Sequence, residues 1–238
     1  LQQTQVSRVL PRWERFLALF PTVDALAAAD QATVLEQWQG LGYNRRALAL
    51  KRCAEICAVE YAGSRPKELD QLLALPGIGS ATAAGVRSFA YNLPSVYLET
   101  NVRTVFLHEL FPDEEGVTDK QLIPLVEQTC PLDDPRTWYY ALLDYGAYLK
   151  TTVGNASRRS AHYAKQSTFE GSRRQKRAFL VREVLAQPGV TLEQLTSKLA
   201  TFEQQHARVA LTESEVEAIL NDLVGEGFFV CSENTFQA

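Results

Sequence analysis

Methionine is missing altogether from these 238 residues, and cysteine occurs four times, at Cys53, Cys57, Cys130 and Cys231. The four are scattered and outline no disulfide framework, which fits a reducing cytoplasm. Cys53 and Cys57 stand four apart on a predicted helix and read as buried structural residues. No long uncharged apolar run is present, so no membrane span is expected, and no signal peptide is visible. A chain that lacks Met and opens inside an amphipathic pattern is expected to lack its native N-terminus. Excess positive charge is missing as well. The net charge is −4, which argues against a nucleic-acid partner if charge is read globally.

Read locally, the charge is segregated. Between Ala156 and Ala178, Arg158, Arg159, Lys165, Arg173, Arg174, Lys176 and Arg177 face one acid, Glu170, so this segment is +6 and the remainder −10. Such a patch suits phosphate contact; a solvated linker is the rival reading. Apolar residues make up 46% of the chain, enough for a packed core in one large domain or two small ones.

The rest is organised around Leu75 to Val102. Leu75-Pro76-Gly77-Ile78-Gly79 reads as a tight turn between a helix ending near Leu75 and another over Ser80–Ala90. Gly77 and Gly79 allow positive φ and close backbone approach, and Ser80 is the expected N-cap. Amides at the start of that helix would point outward and suit a DNA phosphate. Beyond a turn at Asn92-Leu93-Pro94 comes Glu99, an acid after the apolar run Val96-Tyr97-Leu98, and a carboxylate on an apolar wall is a candidate for chemistry. Taken alone, LPGIG is also compatible with an ordinary glycine-rich corner between helices.

Apolar residues at three- and four-residue steps from Val6 to Phe20 predict an amphipathic helix stopped by Pro21. Two short helices follow to Trp38, then Gly40-Leu41-Gly42-Tyr43-Asn44-Arg45-Arg46. An aromatic beside two arginines is the composition of a base-stacking site with phosphate contacts, although a C-cap glycine before a new helix is the plainer reading. Helices are expected over Arg45–Tyr61, Pro66–Leu75 and Thr100–Phe111, with further starts at Thr118 and at Asp134-Pro135. From Phe179 the composition changes. Helical patterns over Phe179–Ala186, Leu192–Leu199 and Glu213–Val224 carry capping signals at Thr191 with Gln194 and Thr212 with Glu215, and strands at Gly227–Val230 and Thr235-Phe236 complete a winged-helix pattern. Its acidity sets an interaction or lid role against direct DNA reading.

LPGIG followed by Glu99-Thr100-Asn101-Val102 resembles the helix-hairpin-helix plus acid signature of the base-excision DNA glycosylases related to endonuclease III and adenine-DNA glycosylase. The resemblance covers roughly residues 1–150 and leans to the adenine branch, through the opening LQQTQV and through GLGY. It implies that Gln2 or Gln3 wedges beside a flipped nucleotide, that Tyr43 stacks into the duplex, and that Arg45, Arg46, Gly77, Ile78, Gly79 and Ser80 contact DNA; the local basic patch, not the resemblance, adds Arg158 and Arg159 as phosphate contacts. Glu99 and Asn101 would be catalytic, with Glu99 at the place of the usual Asp and Asn44 at the place of a second Tyr. A further catalytic Glu, which the family carries just before LQQTQV, would fall ahead of Leu1.

Ala81 stands where bifunctional members have the lysine that forms a Schiff base. Alanine cannot form an imine, so the implied enzyme is a monofunctional glycosylase without lyase activity. After Lys150 the family continues into a four-cysteine loop holding an iron–sulfur cluster. This stretch has no Cys, and the thiolates are obligatory, so no cluster is expected. A monovalent cation at the hairpin, bound together with DNA, is the one cofactor left implied. The C-terminal region does not resemble the oxidised-guanine-recognising domain of adenine-DNA glycosylases.

The resemblance therefore implies an all-α fold of two helical lobes with DNA in the cleft between them and a small winged-helix-like domain after it. The expected division is 1–155 glycosylase, 156–178 basic linker and 179–238 winged helix. The implied reaction is hydrolysis of the N-glycosidic bond of a flipped, mispaired adenine. The implied partner is double-stranded DNA with a mispaired or damaged base, met by a cytoplasmic monomer, nucleoid-associated if bacterial, with no membrane. A mismatch uracil or thymine glycosylase, and a non-catalytic DNA-binding protein on the same scaffold, are the alternatives.

Overall fold

The structure, a computed structural model, describes Thr4 and residues 6–238. Gln2 and Gln3 lie outside the described residues. The chain opens with α1 (Val6–Leu19), α2 (Val23–Ala28), α3 (Gln31–Trp38) and α4 (Arg45–Glu60). Side-chain caps separate the short helices: Thr22 Oγ1 accepts from the Ala25 amide and Asp30 Oδ1 from the Thr33 amide. Helix α1 is helical as its spacing predicts, yet Val6, Leu10, Trp13 and Leu17 remain about half exposed, and it is Phe20, just beyond its end, that is buried.

Next come α5 (Leu69–Leu73) and α6 (Ser80–Gly85), the latter running on as a π-helical turn over Val86–Ala90. Then follow α7 (Thr100–Leu110), α8 (Asp119–Thr129), α9 (Pro135–Thr152) and a short 3-10 turn at Ala156–Arg159. Asp134 caps α9 ahead of Pro135, which as the first helical residue gives up no needed N–H. The last elements are α10 (Arg173–Ala186), β1 (Val190–Thr191), α11 (Leu192–Gln205), α12 (Glu213–Gly225), β2 (Val230–Ser232) and β3 (Thr235–Gln237). Thr191 and Thr212 form full capping boxes with Gln194 and Glu215. The sheet is antiparallel in the order β1-β3-β2 and includes a strand, β1, that the sequence pattern did not announce.

The chain packs as two compact units, Leu1–Arg65 with Ser167–Ala238 and Pro66–Gln166. These boundaries differ from the linear division at 155 and 178. In the first unit Leu26, Val34, Leu35 and Leu48 share one core with Leu180, Val184, Leu199, Ile219 and Phe228. Gln31 Nε2 donates to the carbonyls of Gly227 and Phe228, across 196 and 197 positions of sequence. Burying α2–α4 against α10–α12 satisfies both apolar faces, which is why the C-terminal elements do not form a unit of their own. The second unit has its own core around Val102, Phe106, Leu107, Leu122, Val126, Tyr139 and Leu149. Among the described residues no helix is long and apolar enough to cross a membrane.

Candidate active site and nucleic-acid interface

In the second unit, the turn between α5 and α6 departs from the sequence expectation in two details. Gly77 has the expected positive φ, +71°. Gly79 does not: it is extended (φ −93°, ψ 174°) and is itself the N-cap, so Ser80 is the first helical residue, not the cap. A Cβ built on Gly79 would meet nothing within 4 Å. Neither backbone strain nor crowding by this chain explains a glycine there. Ile78 is held by its amide, which donates to the Leu75 carbonyl at 3.2 Å.

From α6 the packing leads to Glu99. A Cβ on Gly85 would lie 3.0 Å from the Tyr97 ring, so that glycine lets the ring lie against the helix. Tyr97 is buried, stacks edge-on to Phe89 and Tyr139, and donates its amide to Tyr139 Oη at 3.1 Å. Tyr139, fully buried, donates in turn to the Ser95 carbonyl at 2.5 Å. The irregular stretch before Glu99 is thus fixed by one phenol that both accepts and donates. Burial, and then the nearby Glu99 carboxylate, pushes the Tyr97 hydroxyl up to about 12, so it stays neutral.

Glu99 is the N-cap of α7. Its Oε1 accepts from the amides of Asn101 (2.5 Å) and Val102 (3.0 Å), and Oε2 takes no part in that cap. Glutamate is not among the preferred caps; the longer side chain folds back on the first turn, where the helix dipole favours an anion. Asn101 follows on α7, half-buried. Its Oδ1 accepts from Lys150 Nζ at 2.5 Å, and its backbone carbonyl is pressed by Gly146 of α9, where a Cβ would come within 2.3 Å of the oxygen. Around Glu99 and Asn101 the structure sets Gly85, Tyr139, Gly146 and Lys150. The two glycines carried a signal in the sequence: glycine inside a helical run costs about 1 kcal/mol against alanine and marks a close approach.

The first unit holds Tyr43, Arg45 and Arg46. Tyr43 is a non-glycine residue at φ 49° and is exposed. Arg46 lies over its ring at 5.5 Å and Arg174 at 6.0 Å, and Arg174 Nη1 donates to Tyr43 Oη at 3.1 Å. Arg46 is partly buried and donates through Nη2 to the carbonyls of Leu41 and Gly42 and to Thr4 Oγ1; burial lowers its pKa. It holds the GLGY turn in shape. Arg45 is largely exposed but pairs with Glu226 at 2.7 Å, and that hydrogen bond raises its pKa.

The basic segment is not one solvated linker. Arg159 donates to the carbonyls of Leu107, Phe111 and Pro112, closing the C-terminal end of α7, and Val117 bridges to Ser160 beside it. These bonds occupy the guanidinium that sequence reading assigned to DNA. Arg173 pairs with Asp222, Arg177 with Glu226 and Lys176 with the buried Glu203. Burial opposes the charge on Glu226, but hydrogen bonds from Arg45 and Arg177 hold its carboxyl below the usual range. Arg158 and Lys165 are exposed.

All four cysteines are unbridged, with Cys53 and Cys57 buried in α4, Cys130 ending α8 and Cys231 in β2. Burial pushes the Cys53 thiol up to about 11. Among the described residues, no three His, Cys, Asp or Glu side chains gather to hold a metal ion. This donor set does not fit a four-thiolate cluster.

A family model described as HhH-GPD superfamily base excision DNA repair protein matches residues 1–131. The chain is 40% identical over 152 residues to an adenine DNA glycosylase of Mycolicibacterium smegmatis, covering 63% of this chain and 52% of that protein. It is 33% identical over 150 residues to an adenine DNA glycosylase of Buchnera aphidicola subsp. Baizongia pistaciae, covering 63% of this chain and 43% of that one. The match thus spans about half the length of these relatives. Among solved structures, a non-covalent endonuclease III–DNA complex superimposes with a TM-score of 0.54 at 21% identity, over 62% of this chain and 69% of that chain. A thermostable thymine-DNA glycosylase superimposes with a TM-score of 0.52 at 22% identity, over 60% and 68%. At these identities the likeness is one of fold.

Proposed function

The chain belongs to the HhH-GPD superfamily of base excision DNA repair proteins, and on that premise we propose that it removes a mispaired base, adenine, from double-stranded DNA as a monofunctional glycosylase. The observation that carries this reading is the carboxylate of Glu99. It is fixed by two backbone amides through one oxygen, at the end of an apolar wall that packs on the second helix of the hairpin. The name shared by the relatives from Mycolicibacterium and Buchnera supports adenine as the base.

The reaction follows from that placement. The flipped nucleotide loses its base when the C1′–N9 bond breaks and the bonding pair leaves with the purine, which takes up a proton. Positive charge then develops on the sugar, where a preorganised carboxylate in a water-poor site stabilises it most strongly. Water supplies the hydroxyl that completes C1′. Ala81 provides no amine for an imine, which supports hydrolysis without strand cleavage. The open space in front of Gly79 and the amides that follow it suit a DNA phosphate, with a monovalent cation joining when DNA binds. Tyr43, between Arg46 and Arg174, has the make-up of a stacking residue flanked by cations. We take the active species to be a monomer.

The test is base release from duplexes carrying A opposite G, 8-oxoguanine or C, and U or T opposite G. Adenine release is expected, with strand breaks only after alkali and no adduct trapped by borohydride. Glu99→Gln is expected to bind the same duplex at least as tightly and to lose about a hundredfold or more in rate. Equal activity of Glu99→Gln removes Glu99 from the chemistry. Release of U or T alone changes the substrate, and no release from any duplex leaves a DNA-binding scaffold.

A further inference from the structure

Glu99 and Asn101 are held from behind by α9, and the contact is built from two residues one turn apart. Gly146 lets the backbone of α9 come up against the Asn101 carbonyl: any side chain there would collide with that oxygen, 2.3 Å from a built Cβ. Four residues on, on the same face, Lys150 sends Nζ to Asn101 Oδ1 at 2.5 Å. An ammonium only donates, so it selects the oxygen end of the carboxamide, and the Nδ2 end is turned away from Lys150. The lysine is half-buried, where an ammonium is costly. Burial lowers its pKa, and the Glu99 charge pulls it back up. A lysine placed only for solubility would extend into water; this one gives up hydration to donate to a neutral amide.

We propose that Lys150 is a positioning residue of the excision site, orienting the Asn101 carboxamide and, through the first turn of α7, the Glu99 carboxylate whose oxygen that turn grips. This role rests on the reading of Glu99 as the acid of a glycosylase. Lys150 itself touches no reacting atom. It acts by deciding which end of Asn101 is presented, so that Glu99 and Asn101 are in place before DNA arrives. Small displacements of such a pair are costly to the rate and nearly silent in binding.

The experiment compares single-turnover base release, affinity for the same duplex with a non-cleavable target nucleotide, and melting temperature. Lys150→Met keeps the stem and removes the donor and the charge. It is expected to slow release about tenfold or more, with affinity within about twofold and melting unchanged. Lys150→Arg, which restores donors and charge, is expected to recover part of the rate; a purely packing role gives no such recovery. In an Asn101→Ala background Lys150→Met is expected to add little, because the two residues act as one unit. If Lys150→Met folds less well, the same double-variant comparison is made with Lys150→Leu, which also lacks a donor and a charge. A parent enzyme that is active while Lys150→Met is equally fast overturns the role of Lys150 alone. Additive effects with Asn101→Ala overturn it as well. A parent inactive on every duplex overturns the reading of Glu99 first, and this role with it.

Discussion

Tyr43 keeps its backbone at φ 49°, a conformation most residues avoid, and leaves its ring at the surface between two guanidiniums. A residue placed only for folding would bury that ring. The residue is 40% exposed, so loss of its ring is expected to leave the core alone. Tyr43→Ala is expected to lose about 1–3 kcal/mol of DNA affinity, the worth of a base–aromatic stack, at an unchanged melting temperature. Tyr43→Phe gives up the bond from Arg174 but keeps the ring, and is expected to keep most of the affinity. Fluorescence-anisotropy titrations beside thermal melts separate the outcomes: a loss of stability with affinity per folded molecule intact returns Tyr43 to a structural role. Arg46, next to it, was legible as a cation but not as what it is. Its fork closes the turn onto the carbonyls of Leu41 and Gly42, and so shapes the loop that presents the tyrosine.

At the scale of elements, the packing of α7 on α9 sets the site. Gly146 makes that approach close enough for Lys150 to reach Asn101. Gly146→Ala puts a methyl group into the Asn101 carbonyl, and overpacking of this kind costs about 1–3 kcal/mol. Urea denaturation is expected to show that loss, together with a fall in base release greater than the unfolded fraction explains. Gly225 is the control. At the end of α12 a Cβ would meet nothing within 4 Å, so Gly225→Ala is expected to be neutral or to stabilise by about 0.4–1 kcal/mol. An equal response at the two positions would mean that the contact with Asn101 relaxes freely. The other end of α7 is closed by Arg159, which donates to the carbonyls of Leu107 in its last turn and of Phe111 and Pro112 just beyond it. Sequence reading placed this arginine on DNA because a basic run shows its charge but not which helix end lies beside it.

For the whole molecule, the balance of charge is rearranged by folding. The +6 segment is contiguous in sequence, yet Arg173 and Arg177 meet Asp222 and Glu226 of the acidic C-terminal elements, and Lys176 meets Glu203. Arg158 and Lys165 stay exposed, and Arg174 lies half-buried over the Tyr43 ring. Replacing Arg158 and Arg174 with Ala is expected to flatten the dependence of DNA affinity on salt, by about 0.9 in logarithmic slope for each phosphate that is no longer neutralised. Replacing Arg173 and Arg177 is expected to leave the slope nearly unchanged, since their charge is already spent on carboxylates. Binding isotherms across a salt series decide it. A flattening as large from the second pair as from the first would mean that DNA displaces Asp222 and Glu226 from their arginines.

The sequence by itself determined what short-range rules govern. The order of the helices, the capping boxes at Thr191 and Thr212 and the positive φ at Gly77 were all legible. Each depends on contacts within about four residues, where sterics and local hydrogen bonds leave few choices. The tertiary structure decided which charges meet and which elements share a core. It joined residues 1–65 to 167–238, set Lys150 on Asn101 across 49 positions, capped α7 with Arg159, and moved the helix cap from Ser80 to Gly79. A long cationic side chain reaches equally well toward phosphate, carboxylate or a bare carbonyl. Which of these it finds depends on which apolar faces have packed together, and that is a property of the whole chain's burial.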